Sequence, residues 1–206
     1  MDSGAREITF FLWSDTHFGY ESSFGPSDFR WDIICQMHNL AGWPYPKEAG
    51  GRVGTPSFVM HCGDMVDGEK DGGAELAFYR YFLGRLQIPH YATLGNHDGS
   101  GEFTGFFRGE YGGDSYSFDM NGVHFISLSG EYDAQEVGTI PAPQMRFLER
   151  DIDRPGTDTP IILFTHSRLD RVMNGDAVLR LLKRKRTILV VSGHLHRPDV
   201  ATCFGR

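Results

Sequence analysis

The amino-acid sequence predicts one layered α/β (α+β) domain, because short β-rich segments alternate with amphipathic helical segments along the chain. Of its 206 residues, 40% are hydrophobic and 23% are charged, which is the balance of an ordinary globular domain with a sizeable core. A chain of this length usually forms a single domain, so we expect residues 1–206 to be one unit.

Each element follows from a local pattern of apolar, capping and turn residues. A buried strand is expected over residues 7–13, and a helix that Asp28 would cap is expected over residues 29–40. The remaining segments are strands at residues 56–62, 90–93, 160–165 and 186–192, and helices at residues 73–86, 143–152 and 175–185. Asn121-Gly122 predicts the turn of a hairpin between residues 115–120 and 123–129.

Charge and composition limit the classes of partner. The formal net charge is −7, and phosphate binding needs clustered Lys and Arg, so nucleic acid is not an expected partner. No apolar run approaches the roughly 20 residues of a membrane helix, and the first residues lack a signal-peptide profile, so we expect no membrane span and a cytoplasmic protein. Cys35, Cys62 and Cys203 lack CxxC spacing and are interpreted as core or neutral thiols.

Five of the expected strands end in a short loop that carries a side chain able to bind a metal ion. These side chains belong to Asp15, His17, Asp64, Asn96, His166, His194 and His196. In open α/β sheets, sites form beyond the carboxyl ends of the strands. We therefore expect these loops to meet at one edge of the fold, with their side chains as neighbours.

The motifs around these residues are weak singly, since Asp, Asn and Gly are common in turns. All of them at strand ends, and in this order, are very improbable as a coincidence. They are Asp15-Thr16-His17, Gly63-Asp64-Met65-Val66-Asp67, Gly95-Asn96-His97-Asp98, His166 and Gly193-His194-Leu195-His196. The set resembles the calcineurin-like metallophosphoesterase superfamily, whose pattern is DxH, GDxxD, GNH(D/E), H and GHxH, over residues 8–198.

The resemblance implies a β-sandwich flanked by helices and a centre of two metal ions. Asp15, His17 and His196 would hold one ion, Asn96, His166 and His194 would hold the other, and Asp64 would bridge them. Imidazole, carboxylate and amide ligands without thiolate suit Mn, Fe, Zn, Ni or Co. The superfamily normally adds several strands after GHxH, whereas ten residues follow His196. We therefore expect a domain that is short at its C-terminus, either minimal or truncated.

The expected function is metal-dependent hydrolysis of phosphomonoesters or phosphodiesters by attack of a metal-bridging hydroxide. His97 would protonate the leaving group as general acid, and Asp98 would orient its ring. A nuclease of the same superfamily and a non-catalytic scaffold on this fold are the alternatives. The acidic balance disfavours the nuclease, and the intact ligand set disfavours the scaffold. The expected substrate is a small-molecule phosphate ester, and the oligomeric state is not predicted.

Other residues near the motifs have two interpretations each. Asp67 either fixes a ligating histidine as a hydrogen-bond acceptor or caps a helix. Arg168 and Arg197 either bind substrate phosphate or are exposed or salt-bridged. An aromatic rim for stacking on a base or sugar, with core packing as the alternative, would consist of Phe18, Tyr20, Trp43 and Tyr45. The remaining histidines, which receive no functional role, are His38, His61, His90 and His124.

Overall fold

The computed structural model shows two facing β-sheets, each covered on its outer side by helices. It describes residues 7–19, 29–68, 72–99 and 101–201. The strands are β1 (Phe10–Trp13), β2 (Phe58–His61), β3 (His90–Ala92), β4 (Tyr116–Met120), β5 (Val123–Ser127), β6 (Glu131–Tyr132), β7 (Gly138–Thr139), β8 (Ile161–Phe164) and β9 (Thr187–Val191). The α-helices are α1 (Phe29–Asn39), α2 (Gly72–Leu83), α3 (Gly101–Tyr111), α4 (Ala142–Asp151) and α5 (Gly175–Lys183). The predicted α/β fold is confirmed.

The strands form two principal sheets. β1, β2 and β3 make a three-stranded parallel sheet in that order, and β4, β5, β8 and β9 make a four-stranded sheet. β4 and β5 are the antiparallel hairpin that Asn121-Gly122 predicts, with φ of 50° and 79° at the two turn residues. β5, β8 and β9 are parallel to one another. β6 and β7 form a separate antiparallel ribbon.

The inner faces of the two sheets pack against each other through aromatic rings. The Phe58 ring of β2 lies 5.2 Å from the Phe125 ring of β5, and the Phe10 ring of β1 lies 6.1 Å from the Phe164 ring of β8, both edge to face. Because side chains alternate along a strand, Val59 of β2 faces the opposite way. The sheets therefore form the sandwich that the family resemblance implies.

The outer face of each sheet is buried under its own set of helices. Val59 and Ala92 of the first sheet belong to one apolar cluster with residues of α1, α2 and α3. Ile126 and Leu163 of the second sheet belong to another, with residues of α4 and α5. This four-layer packing fixes both sheets, so the loops at the strand ends are held on a rigid frame. Within the described ranges, none of the helices has the length and apolarity needed to span a membrane.

Two elements were not predicted from the sequence. No element was expected between the Gly95-Asn96-His97-Asp98 motif and residue 115, yet α3 begins at Gly101. Its glycines lower helix propensity, and burial of Phe103 and Phe107 in the first cluster offsets this. The β6–β7 ribbon has strands of two residues each, too short for an alternating pattern. The expected cap Asp28 lies outside the described residues.

Candidate metal centre

The loops that follow β1, β2, β3, β8 and β9 meet at one edge of the sandwich. Backbone hydrogen bonds join them: Asp15 N donates to Gly63 O at 3.0 Å, and His17 N donates to Asp64 O at 3.1 Å. Gly193 N donates to His166 O at 2.9 Å in the same way. The carboxyl ends of the parallel strands thus bring the motif side chains together as the sequence predicts.

One group of side chains consists of Asp15, His17, Asp64 and His196. The Nε2 atoms of His17 and His196 face each other at 3.3 Å. His196 Nε2 lies 3.3 Å from Asp15 Oδ1, and His17 Nε2 lies 3.7 Å from Asp64 Oδ2. Two carboxylates and two imidazoles therefore share one small volume.

A second group consists of Asp64, Asn96, His166 and His194, and it shares an atom with the first. His166 Nε2 lies 3.2 Å from Asp64 Oδ2, 3.0 Å from Asn96 Oδ1 and 3.2 Å from His194 Nδ1. Asp64 Oδ2 is thus close to ligand atoms of both groups. A carboxylate in this position is suited to bridging two cations.

The chemistry of these atoms fits metal ions. His166 Nδ1 lies 2.8 Å from the carbonyl oxygen of Cys62 and donates its hydrogen there, so Nε2 of the unprotonated ring would present its lone pair to a cation. That lone pair points towards oxygen and nitrogen acceptors of Asp64, Asn96 and His194. Several lone pairs directed into one volume are stabilised by a cation, and the absence of thiolate favours borderline divalent ions over soft ones.

The ligand loops adopt an unusual backbone conformation. Seven non-glycine residues of the described ranges have positive φ, and five of them are expected ligands: Asp15 (55°), His17 (41°), Asp64 (55°), His194 (69°) and His196 (49°). Such a conformation is strained for residues with a side chain. Gly95 allows another close approach, since a Cβ there would overlap the backbone nitrogen and carboxylate of Asp64.

Asp98 holds two of these loops together. Its fully buried carboxylate accepts hydrogen bonds from backbone N–H groups of Asp64 (2.9 Å), Met65 (2.8 Å), Val66 (3.1 Å) and Gly95 (2.8 Å). Burial and the nearby Asp64 charge raise the pKa of Asp98 to about 7, although the N–H donors stabilise the carboxylate. The expected contact of Asp98 with the His97 ring is replaced by these four bonds.

The His97 ring is oriented by Asp67 instead. His97 Nδ1 lies 2.8 Å from the Asp67 carbonyl oxygen, and the ring stands edge to face with the His17 ring at 4.7 Å. Burial opposes protonation, but this hydrogen bond and the charges of Asp64, Asp67 and Glu136 raise the pKa of His97. The side chain is 26% exposed, so it remains accessible to a bound molecule.

The carboxylate of Asp67 is buried beside two rings. Its Oδ1 lies 3.7 Å from His17 Nδ1 and 4.0 Å from His97 Nδ1. Neither distance is that of a hydrogen bond, and the buried His17 Nδ1 has no hydrogen-bond partner, so the interpretation of Asp67 as an acceptor for a ligating histidine stays a prediction. The described part of α2 begins at Gly72, five positions after Asp67, and the residues between 68 and 72 lie outside the described structure, so the helix-cap alternative is not tested.

Electrostatics within the centre favour ionised Asp64. Burial opposes ionisation, but the hydrogen bond and charge of His166 outweigh it and lower the pKa of Asp64 to about 2. Burial lowers the pKa of His17 and of His194, which keeps both rings neutral at pH 7. Ionised Asp64 beside neutral His17 and His194 suits metal binding. Burial opposes protonation of His166, but the hydrogen bond and charge of Asp64 raise the pKa of His166, which a bound ion would have to deprotonate at Nε2.

The profile of the calcineurin-like phosphoesterase family matches residues 8–198. The chain belongs to this family. The calcineurin-like phosphoesterase assignment thus covers all five motifs and every residue of the two ligand groups. It agrees with the resemblance identified from the motifs alone.

Two relatives illustrate the likeness of this calcineurin-like phosphoesterase to known proteins. It is 26% identical over 152 residues to a "Probable cyclic nucleotide phosphodiesterase" of Xenorhabdus bovienii, covering 66% of this chain and 61% of that protein. The chain thus spans less than two thirds of that relative's length. Its fold is similar to that of a dimetal phosphatase from Danio rerio, with a TM-score of 0.61 and 15% identity, covering 92% of this chain and 82% of the other.

The two arginines with two open interpretations in this calcineurin-like phosphoesterase, as phosphate ligands or as exposed or salt-bridged residues, are Arg168 and Arg197. Arg168 Nε and Nη2 bind the Asp170 carboxylate at 2.9 and 2.8 Å, and Nη1 binds Asp199, so Arg168 is salt-bridged. Arg197 is exposed. Both line a cavity of about 780 Å³ beside β9, and its described lining contains none of the expected ligands. The structure therefore favours the alternative interpretation for both residues.

The aromatic residues also have two interpretations, and the described ones do not form a rim at the ligand loops. Phe18 is fully buried in the first apolar cluster, with its ring 4.8 Å from that of Phe82. Trp43 and Tyr45 are exposed, but α1 has carried the chain away from the ligand loops to the amino ends of the strands, where Ser57 N bonds to Thr9 O. Tyr20 lies outside the described residues.

Two residues close to the centre were missed from the sequence. Arg30 of α1 is 5% exposed and donates to the carbonyl oxygens of Thr16 (2.7 Å) and His17 (3.1 Å), which supports the first ligand loop. Tyr132 of β6 has its ring 5.9 Å from the ring of His166. Neither residue belongs to a local motif, so only the fold reveals its position.

Proposed function

We propose that this protein is a dinuclear metal-dependent hydrolase of phosphate esters. The observation that carries the proposal is Asp64, whose Oδ2 lies near nitrogen ligands of both groups, 3.7 Å from His17 Nε2 and 3.2 Å from His166 Nε2. A single carboxylate oxygen shared by two groups of lone-pair donors suits a pair of cations. Family membership and the fold of the Danio rerio dimetal phosphatase support the same conclusion.

The ligand groups suggest the division of labour between side chains. Asp15, His17 and His196 would hold one ion, the set of Asn96, His166 and His194 would hold the other, and Asp64 would contact both. Bound ions such as Mn, Fe, Zn, Ni or Co polarise phosphoryl oxygens and lower the pKa of bound water, which supplies a nucleophile at neutral pH. The protein's own contribution is to fix these ligands on rigid strand ends.

His97 is the proposed general acid. Its Nδ1–H donates to the Asp67 carbonyl oxygen, so Nε2 of the protonated ring carries the proton that can reach a leaving alkoxide. Although burial opposes protonation, its hydrogen bond to Asp67 and the nearby carboxylates raise the pKa of His97, so the ring holds this proton to higher pH than a free imidazole does. Asp98 acts through the backbone of the Asp64 and Gly95 loops, and we propose it as a positioning residue for the ligands.

The proposed substrate is a small-molecule phosphomonoester or phosphodiester. The name of the Xenorhabdus bovienii relative makes a cyclic nucleotide one diester to test. A nuclease is disfavoured, because the cavity beside His97 is lined, in the part of the chain described, by carboxylates and by no Lys or Arg. A scaffold is disfavoured because both ligand groups are complete.

Metal reconstitution tests the proposal. Protein treated with a chelator would be loaded with Mn, Fe, Zn, Ni or Co and assayed with p-nitrophenyl phosphate, its bis ester and a cyclic nucleotide. We expect two ions bound per chain and metal-dependent turnover. Asp64→Asn, purified identically, controls for contaminating phosphatases and should lose turnover. Absence of turnover with every ion and ester would overturn the proposal and favour a scaffold.

A further inference from the structure

The residues from Glu131 to Thr139 form a hairpin beside the metal centre, which we call the acidic ribbon. It consists of β6, β7 and the five residues between them. Gly138 O accepts a hydrogen bond from Met173 N at 2.9 Å, and the Tyr132 hydroxyl bonds to Ser167. The Tyr132 ring also lies 6.4 Å from the ring of His194. The acidic ribbon is thus fixed relative to the ligands.

The tip of the acidic ribbon is ordered by its own hydrogen bonds. Asp133 Oδ1 accepts from Gln135 N and Val137 N, both at 2.9 Å, and Asp133 O accepts from Glu136 N at 2.9 Å. Glu136 has φ of 60°, which few residues other than glycine adopt. The backbone of Glu136 is therefore held in one strained conformation by its neighbours.

Glu136 lines a cavity of about 450 Å³ that also contains the proposed general acid. Asn96 and His97 contribute to this cavity from the loop after β3, whereas Tyr132 and Asp133 contribute from the acidic ribbon. The charge of Glu136 influences both the His97 and the His194 rings. Asp67, Asp133 and Glu136 are its carboxylates, and no Lys or Arg is among its described lining residues.

This charge distribution restricts what can occupy the cavity. If His97 protonates the leaving alcohol, as the proposed function holds, that alcohol lies within hydrogen-bond reach of His97 and therefore in this cavity. A second anion on the alcohol would face three carboxylates, with no Lys or Arg among the described lining residues to offset them. An ammonium group would be attracted to them, and such charge complementarity determines specificity more than overall affinity.

We propose that Glu136 is a specificity-determining residue that selects phosphate esters whose alcohol portion carries an ammonium group and rejects those whose alcohol portion carries a second anion. This inference rests on the proposed function and names its substrate class. Asp133 cannot test it, because its Oδ1 maintains the tip of the acidic ribbon. Glu136 makes no such backbone contact through its side chain in the described structure, so it can be replaced.

The test compares two esters of similar size and opposite charge. O-Phosphoethanolamine and 2-phosphoglycolate each have a two-carbon alcohol, which carries an ammonium group in the first and a carboxylate in the second. We expect the metal-loaded protein to have a kcat/KM about tenfold higher for phosphoethanolamine. Glu136→Gln should reduce this ratio towards one, and Glu136→Lys should invert it. If only the bis ester is cleaved, the methyl diesters of both compounds replace them.

Glu131→Gln is the matched control. Glu131 is an exposed glutamate of the same ribbon that does not line the cavity, so its replacement should leave the ratio unchanged. An equal change in Glu131→Gln would indicate a general effect of surface charge and would overturn the inference. High salt should reduce the wild-type preference, since dissolved ions screen the charge of an exposed carboxylate.

The outcomes separate the inference from the proposed function. If the wild type hydrolyses no p-nitrophenyl ester with any ion, the proposed function fails and the inference fails with it. If it hydrolyses a p-nitrophenyl ester but cleaves both charged esters equally, prefers glycolate, or cleaves neither, only the inference is overturned. An unchanged ratio in Glu136→Gln and Glu136→Lys would also overturn it.

Discussion

The carbonyl oxygen of Asp67 lies 2.8 Å from Nδ1 of His97. A carbonyl oxygen can only accept, so this contact fixes the hydrogen on Nδ1 and the plane of the ring. Burial opposes protonation of His97, yet this bond and the surrounding carboxylates raise its pKa above the ordinary value. The proposed proton donor therefore keeps its proton to higher pH than a free imidazole does.

Replacing His97 by Ala should affect substrates according to their leaving groups. We expect kcat to fall by about 10²–10⁴ for an alkyl phosphate, because an alkoxide needs a proton to leave. The loss should be much smaller for p-nitrophenyl phosphate, whose phenolate leaves unprotonated. In the wild type, turnover of the alkyl ester should fall as pH rises through the raised pKa of His97.

Steady-state kinetics with both esters and metal analysis of each protein would check this prediction. His38→Ala, at an exposed position far from the ligands in sequence, is the control for loss of a histidine. Equal losses on the alkyl and the p-nitrophenyl ester, with metal content unchanged, would contradict the general-acid role.

Replacing Asp98 by Ala should destabilise the fold around the ligands. Four backbone N–H groups would lose their acceptor in a fully buried position. We expect a loss of about 3 kcal/mol in the free energy of unfolding, together with weaker binding of both ions, because the loops of Asp64 and Asn96 would be released. Urea denaturation of the chelated protein and metal titration measure the two effects.

Asp133→Asn is the comparison for Asp98→Ala. Its oxygen also accepts two backbone N–H groups, but the residue is exposed and asparagine keeps one acceptor oxygen. We expect a change within about 0.5 kcal/mol. If Asp98→Ala lowers the free energy of unfolding as little as Asp133→Asn does, the four hydrogen bonds do not maintain the loops.

His124 should make stability depend on pH away from the metal centre. Its ring is buried between Asp119 Oδ1 (2.7 Å from Nδ1) and Asp151 Oδ2 (2.9 Å from Nε2). Burial opposes the charge, but these bonds raise the pKa of His124, and they lower the pKa of Asp151. The stabilisation from His124 is complete below its ordinary pKa of 6.5 and is lost as pH rises through the raised folded value.

His124→Gln should remove this pH dependence and lower the free energy of unfolding by about 3 kcal/mol at pH 6. Urea denaturation of the chelated wild type and variant over a range of pH gives the difference in their free energies of unfolding at each pH. That difference should shrink above the raised pKa of His124. A difference that grows with rising pH would show that the ring is neutral in the folded protein.

Arg30 should control the affinity of one ion more than that of the other. It holds the carbonyl oxygens of Thr16 and His17, which belong to the first ligand loop only. We expect Arg30→Met to weaken binding of one ion by about tenfold and to leave the other close to its wild-type affinity. Calorimetric titration of the chelated protein resolves the two sites.

Arg85→Met is the matched control for Arg30, since Arg85 stacks on the exposed Tyr81 ring at 3.8 Å and has no contact with the ligand loops among the described residues. The Arg85→Met protein should bind both ions with wild-type affinity. Equal weakening of both ions in Arg30→Met would point to a general loss of folding, which thermal unfolding would reveal.

The proximity of the expected ligands could be predicted from the sequence because each of them follows an apolar strand. Asp15, Asp64 and His166 come within three residues of the ends of β1, β2 and β8, and parallel strands end at the same edge. Strand position therefore implied proximity in space. Trp43 shows the limit of the argument: it lies between two motifs in sequence, but α1 takes the chain to the opposite edge before it.

Other features depend on tertiary packing and leave little signal in the sequence. The glycines of α3 conceal a helix that burial of Phe103 and Phe107 stabilises. Glu136 looks like any exposed acid, and only the turn made by Asp133 directs it to the cavity. Asp98 was expected beside His97 because they are adjacent, but its carboxylate points to backbone N–H groups instead.

The positive φ angles of the ligand loops place stability and activity in opposition. Each such residue costs about 1–2 kcal/mol relative to an ordinary conformation, and five expected ligands share this cost. The binding energy of metal ions would offset this conformational cost, whereas the metal-free protein would bear it in full. Directed evolution for thermal stability without metal should therefore replace these residues and yield more stable but inactive proteins. The same selection with metal present should retain them.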